Sequence, residues 1–295
     1  MLARSRQGSA MAMAALQLAA CRPAEPARNI ASDSASSPAS EAPSAAGAGP
    51  NVVTVTTKDY TFDAPASIPA GLTTFQLVNN GPSLHHVQLV KLEEGKTADD
   101  FMAALKTGGH PPRWASMAGG PNPREVGSTA ATTLMLEPGN YAMICFIPAP
   151  DGMPHVMKGM VRPLNVTGPS RSGGEEPAAD VVMRLVDFDF LLSRPLKAGR
   201  QMLRVENDGD QPHEVAIVRL KPGKKPVDFA EWGLRPTDPA PGTVFGGVSA
   251  IMPGTHAFVS LDLPPGEYAL LCFIPEMKDG KPHFEHGMAK QVEIS

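Results

Sequence analysis

The chain has 295 residues, enough for about two domains of ordinary size, with a formal net charge of −4 and a pI near 6.1. That balance, with no basic cluster along the chain, excludes a general pull toward nucleic acid. Aromatic residues are only 5%, while 31 Pro and 28 Gly predict short strands broken by many turns.

At the N-terminus, Arg4 and Arg6 precede an apolar run from Ala10 to Ala20 that only Gln17 interrupts. The run is too short to span a bilayer as a helix and reads as an export signal. It ends in Leu18-Ala19-Ala20-Cys21, which resembles a bacterial lipobox. Residues 1–21 are therefore expected to be a lipoprotein signal peptide, with Cys21 the lipidated residue. An ordinary cleaved signal with a chance Cys is the alternative. Arg22, where an Asp would favour inner-membrane retention, points toward the outer membrane. Residues 22–50, rich in Ala, Ser and Pro, cannot build a core and are expected to form a flexible tether. These features place the protein at a bacterial cell envelope, lipid-anchored, on the periplasmic or the outer-membrane and extracellular side.

Beyond residue 50 the chain repeats itself. Asn79-Asn80-Gly81-Pro82-Ser83-Leu84-His85 matches Asn207-Asp208-Gly209-Asp210-Gln211-Pro212-His213. Pro138-Gly139-Asn140-Tyr141 through Cys145 and Pro148 matches Pro265-Gly266-Glu267-Tyr268 through Cys272 and Pro275. Pro154-His155 with Gly159-Met160 matches Pro282-His283 with Gly287-Met288. The offset stays at 127 or 128 residues throughout, which indicates a duplication. The polar, turn-forming stretch from Gly168 to Ala178 separates the copies. The expected units are residues 51–168 and 178–295, with 169–177 as linker.

Each copy is patterned as β-structure. Val53, Val55 and Thr57 alternate with Thr54 and Thr56. Phe75 and Leu77, then Val87 and Leu89, alternate around the Asn-Asn-Gly turn, and Leu203, Val205, Val215 and Ile217 repeat the pattern. Tyr141, Met143 and Cys145 share one strand face, because side chains alternate with a period of two. Asp99–Leu105 and Val227–Gly233 are expected to make a helical turn or two each. Short strands over roughly 115 residues per unit predict an all-β chain of two tandem Greek-key β-sandwich domains.

Of three Cys, Cys21 is assigned to lipid, which leaves one thiol per unit: Cys145 and Cys272. A lone thiol in an exported protein is either an inert buried side chain or a metal ligand. Each copy also supplies an early His, a late His and a Met. Two imidazoles, a thiolate and a thioether are the ligands of a blue-copper site, since soft sulfur suits Cu(I) and imidazole suits Cu(II). His86 is expected to turn away from His85 and be exposed, and His286 to lie at the surface. His110 and His256 have no partner in sequence, and Trp114 and Trp232 are expected to pack.

In the order of these residues the chain resembles the cupredoxins. The loops carrying His85 and His213 resemble that of the first copper His in plastocyanin and pseudoazurin. The Gly-x-Tyr-x-x-x-Cys run resembles their last core strand. His155-x4-Met160 and His283-x4-Met288 have plastocyanin's His-to-Met spacing. The resemblance implies His85, Cys145, His155 and Met160 at one copper site, and His213, Cys272, His283 and Met288 at another. Nine residues separate Cys145 from His155, and ten separate Cys272 from His283, against two to four in plastocyanin. The longer loops predict that His155 and His283 sit farther from the other ligands until metal binds, although Pro148, Pro154, Pro275 and Pro282 stiffen them. The implied function is electron transfer through type 1-like copper, with a redox or copper-exchange protein as partner. Copper capture and trafficking, or a metal-free β-sandwich binding module, are the alternatives. No His-x-His or His-Cys-His element stands in the sequence, so the chain is not expected to be an enzyme.

Overall fold

The computed structural model of the protein describes residues 49–108, 110–169 and 174–295. Cys21, the signal segment and most of the tether lie outside these residues. The first copy contains β1 (Asn51–Lys58), β2 (Thr61–Asp63), β3 (Ser67–Pro69), β4 (Gly71–Asn79), β5 (Gln88–Leu92), α1 (Ala98–Gly108), β6 (Ala115–Met117), β7 (Thr129–Leu136), β8 (Gly139–Ile144) and β9 (Val161–Thr167). The second contains β10 (Val181–Val186), β11 (Asp189–Leu192), β12 (Gly199–Asn207), β13 (His213–Leu220), α2 (Pro226–Leu234), β14 (Gly242–Ile251), β15 (His256–Leu263), β16 (Gly266–Leu271) and β17 (Ala289–Ile294). Among the described residues no helix is long and apolar enough to cross a membrane.

Each copy is a two-sheet sandwich. In the first, β2-β1-β4-β7 face β3-β9-β8-β5-β6; in the second, β11-β10-β12-β15 face β14-β13-β16-β17. The alternation in β1 sends Val53, Val55 and Thr57 inward. Tyr141, Met143 and Cys145 join the core between the sheets, while Ala142 and Ile144 face the other way, under Phe101 and Leu105 of α1. In the second copy Ala269 and Leu271 pack with Phe229 and Ala230 of α2. The helices thus cover the outer faces of β8 and β16, which explains why both strands end in an unbroken run of buried residues. The two helical stretches expected from sequence are present, each slightly longer than its apolar pattern. Thr97 starts α1: its hydroxyl oxygen accepts the Asp100 amide, and its own amide donates to the Asp100 carboxylate.

Two contacts fuse the copies. Edge strands β7 and β15 pair antiparallel, Thr132 opposite Val259, and join four strands from each copy into one eight-stranded sheet. Residues Ala118–Arg124 then bridge to β14 at Ile251, Val248 and Phe245. Pairing the two edges removes exposed ladders that each copy would otherwise present to solvent. Gly120 and Gly247 let the segments at this contact lie close on their own copies. Both have positive φ, and a Cβ there would come within 2.1 Å of the Val87 carbonyl oxygen or 1.9 Å of that of Val215. Those carbonyls lie two residues beyond His85 and His213, so the glycines set how closely the neighbouring segment covers each site.

Candidate metal centre

In both copies the first His is delivered by a loop that Asn ties down. Asn79 Nδ2 donates to the Ser83 carbonyl and its Oδ1 accepts from the Gly81 amide; Asn207 does the same with Gln211 and Gly209. Cys145 and Cys272 follow the last residues of β8 and β16. These strands are anchored near their entry by Tyr141, whose hydroxyl donates to the Glu137 carbonyl at 2.9 Å, and Tyr268, which donates to Pro264 at 2.8 Å. The second His opens a single 3-10 turn, His155–Lys158 or His283–His286, and a Gly with positive φ closes it. The chain then enters β9 or β17 through Met160 or Met288.

The six inner ligands converge as two triplets. The ligand atoms of His85, Cys145 and His155 lie within 4.8 Å of one another, as do those of His213, Cys272 and His283. His85 Nδ1 and His155 Nδ1 are 3.1 Å apart, and Cys145 Sγ is 3.6 Å from His155 Nδ1. The second copy gives 3.0 and 3.4 Å for the same pairs. Met160 and Met288 are fully buried in the same core as the Cys residues, and each backbone amide donates to the carbonyl of the second His at 3.0 Å.

The expectation that the long loops hold His155 and His283 apart is corrected by this geometry. Each loop folds back on itself. Pro148 bridges Pro154, His155 N donates to the Ile147 carbonyl at 3.0 Å, and Val156 N to that of Cys145 at 2.7 Å. Pro275, Pro282, His283 and Phe284 repeat these contacts. Backbone bonds across the loop, not its length, position the ligand.

His86 departs from the sequence expectation in a second way. It does turn from the ligand cluster, but it is buried and its Nε2 accepts the Phe146 amide at 2.9 Å. His286 is partly exposed, pairing with Asp279 at 3.3 Å and packing on Phe188, and His256 pairs with Glu176 at 2.7 Å. Trp114 packs against Phe101, and Trp232 against Phe229.

Two carboxylates complete the sites. Asp59 Oδ1 lies 2.7 Å from His85 Nε2, and Asp187 Oδ1 lies 2.7 Å from His213 Nε2. A carboxylate accepts only, so it fixes the proton on Nε2 and leaves Nδ1 free toward the cluster. Gly81 and Gly209 leave space for this bond: a Cβ at Gly209 would stand 2.4 Å from Asp187 Oδ1 and 2.6 Å from His213 Nε2. A sequence signal existed for both carboxylates. Asp59-Tyr60 and Asp187-Phe188 recur at the repeat offset, and the aromatic that follows each Asp packs at an angle against the second His of its site.

Burial sets the protonation of the metal-free ligands. It lowers the basicity of His85 and His213 against the opposing pull of their Asp partners. Burial, with the neighbouring imidazole, takes His155 and His283 down to about 4. It also pushes the Cys145 thiol up to about 12 and raises that of Cys272. Each centre is therefore a neutral set of two imidazoles and a thiol that must give up one proton to become a thiolate ligand. Two converging Nδ1 atoms and a sulfur in a water-poor core fit copper, which takes imidazole and thiolate together.

No protein-family model matches the chain, and no curated protein matches it. Solved structures do. Auracyanin A, a blue copper protein from Chloroflexus aurantiacus, is 23% identical with a TM-score of 0.30, over 40% of this chain and 100% of its own. A blue copper oxidase from Nitrosomonas europaea is 14% identical with a TM-score of 0.25, over 83% of this chain and 86% of its own. The copper nitrite reductase of the same organism is 16% identical with a TM-score of 0.24, over 84% and 93%.

The expectation that the chain is not an enzyme is withdrawn. The similar structures that span both copies include an oxidase and a nitrite reductase. The absence of a contiguous His-Cys-His motif also excludes less than it promised, because the fold assembles two His–Cys–His groups from residues far apart in sequence. In architecture and ligand set, the chain is a tandem of two fused β-sandwiches with one His–Cys–His group each, and both groups fit copper.

Proposed function

We propose that the protein holds copper in both centres and passes single electrons through them at a bacterial cell envelope. The observation that carries this reading is the convergence of two Nδ1 atoms and one Sγ in each copy, with a buried Met directly after the 3-10 turn. Bound copper would supply a one-electron couple. His85, Cys145, His155 and Met160 would hold it in the first copy, and His213, Cys272, His283 and Met288 in the second. The work of the chain is to preset those ligands. Asp59 and Asp187 orient the first His, the Pro-bridged loop fixes the second, and the strand anchored by Tyr141 or Tyr268 fixes the thiol. A scaffold that is already closed gives Cu(I) and Cu(II) the same surroundings, which keeps rearrangement during electron exchange small. Loading the purified protein with Cu(II) tests the reading: an intense visible absorption supports it. Tight but colourless uptake of Cu(I) alone would favour copper capture and trafficking, and no uptake would leave a metal-free binding module.

The lipobox motif and the Ala/Ser/Pro-rich tether support attachment of this unit to a membrane through Cys21, with a redox or copper-exchange protein as partner. Replacing Cys21 by Ala should move the protein from the membrane to the soluble fraction. A wild-type protein that is already soluble and unmodified at Cys21 would rule the anchor out.

A further inference from the structure

The two centres share their inner atoms and differ at the outer nitrogen of the second His. In the second copy, His283 Nε2 lies 3.1 Å from Gln211 Oε1, and Gln211 Nε2 donates to Glu276 Oε2 at 2.9 Å. Glu276 is itself held, its Oε1 accepting the Lys278 amide at 3.1 Å and its own amide donating to the Lys281 carbonyl at 2.8 Å. The equivalent positions in the first copy are Ser83 and Ala149. Ser83 donates its hydroxyl to Asp59 at 3.0 Å, and Ala149 has no polar side chain. His155 Nε2 is buried and has no hydrogen-bond partner among the described residues. His155 also lines a cleft of about 560 Å³, with Leu84, Ile147 and Pro148 of its own copy and Trp232 and Thr243 of the other.

The chemistry of metal ligation makes this difference consequential. An imidazole that gives Nδ1 to a metal carries its proton on Nε2, and that N–H needs an acceptor. Gln211 Oε1 is one already in place. Around His155 there is none. Outer partners of ligating His residues typically contribute 10–100-fold in metal affinity.

We infer that the two centres hold copper with different strength: the second, with His283 clamped by Gln211 and Glu276, retains it tightly, while the first, with His155 unclamped at the cleft, binds it more weakly and releases it faster. The inference rests on the copper reading above and adds that the first centre is the weaker and faster one. The cleft gives an incoming chelating ligand access beside the imidazole that is held least. Gln211 is thus a positioning residue, acting on the metal only through His283.

The test uses the full chain, stripped of metal and titrated with copper against a chelator of known affinity. The wild-type protein should fill in two steps, with affinities differing by roughly 10–100-fold. Cys145→Ser should retain the tight, slowly released step, and Cys272→Ser the weak, fast one. In the Cys145→Ser background, Gln211→Ser should lower the remaining affinity by a similar factor. In the diamagnetic Cu(I) form, an exchange-protected imidazole N–H signal should be visible for His283 and absent for His155, and Gln211→Ser should erase it. Ser83→Gln with Ala149→Glu, placed in Cys272→Ser, should tighten the first centre. Equal affinities, a tighter first centre, or a second centre indifferent to Gln211→Ser would overturn the inference while leaving the copper reading intact. Failure of the wild-type protein to take copper at either centre would overturn that reading itself.

Discussion

His86 and Glu214 occupy the same place in the two copies and share no chemistry, yet they do the same job. His86 accepts the amide of Phe146, the residue after Cys145; Glu214 accepts that of Phe273, the residue after Cys272, at 3.0 Å. Burial pushes both toward their uncharged forms. At this position the fold demands an acceptor for one buried N–H, and either residue meets the demand. The pair Ser83 and Gln211 is the opposite case. There the substitution removes the job, and the second His of the first copy is left without a partner. Duplicated sites therefore keep what the backbone requires and diverge in what only the metal feels.

The sharpest way to break this comparison is to remove one thiol at a time. Cys145→Ser and Cys272→Ser should each abolish the visible absorption of one copper-loaded centre, and the double variant should abolish all of it. A double variant with unchanged absorption would end the type 1 reading. Next in size are the glycines that let each copy fold closely over the strand beyond its first His. Gly120→Ala and Gly247→Ala each set a methyl against a carbonyl oxygen, and thermal melts should show losses of about 3 kcal/mol or more, similar in the two copies. A loss confined to one variant would mean that the two close approaches are not equivalent, as their distances of 2.1 and 1.9 Å imply they are.

Smaller effects sharpen the picture. Asp59→Ala and Asp187→Ala free the outer nitrogen of His85 and His213, and copper affinity should drop about 10–100-fold at the matching centre only. Equal drops in the two copies would show that this carboxylate, unlike Gln211, belongs to what duplication preserved. The smallest expected effect tests the acceptor rule. Glu214→Leu strands the Phe273 amide and should destabilise the protein by about 1–3 kcal/mol in denaturant melts. Glu214→His, which copies the first unit, should cost less. If leucine and histidine are equally harmful, the residue matters for more than its acceptor.

Much of this protein is determined by local sequence. The repeat, the strand alternation around Val53, Phe75 and Tyr141, the turn at Asn79 and Asn207, and the order of His, Cys, His and Met all follow from spacing. Side-chain period and turn chemistry act over a few residues, so they can be read along the chain. The closed positions of His155 and His283 could not be read this way, because loop length is local but the bonds across the loop, such as Val156 N to the Cys145 carbonyl, depend on where the chain returns. Asp59 and Asp187 stand 26 residues before the His they orient, and only the parallel pairing of β1 with β4 and of β10 with β12 brings them together. The burial of His86, the fusion of β7 with β15 and the unpartnered nitrogen of His155 were likewise decided by tertiary structure. Whether a polar atom finds a partner depends on every segment that packs near it, and those segments meet only once the sheets have closed.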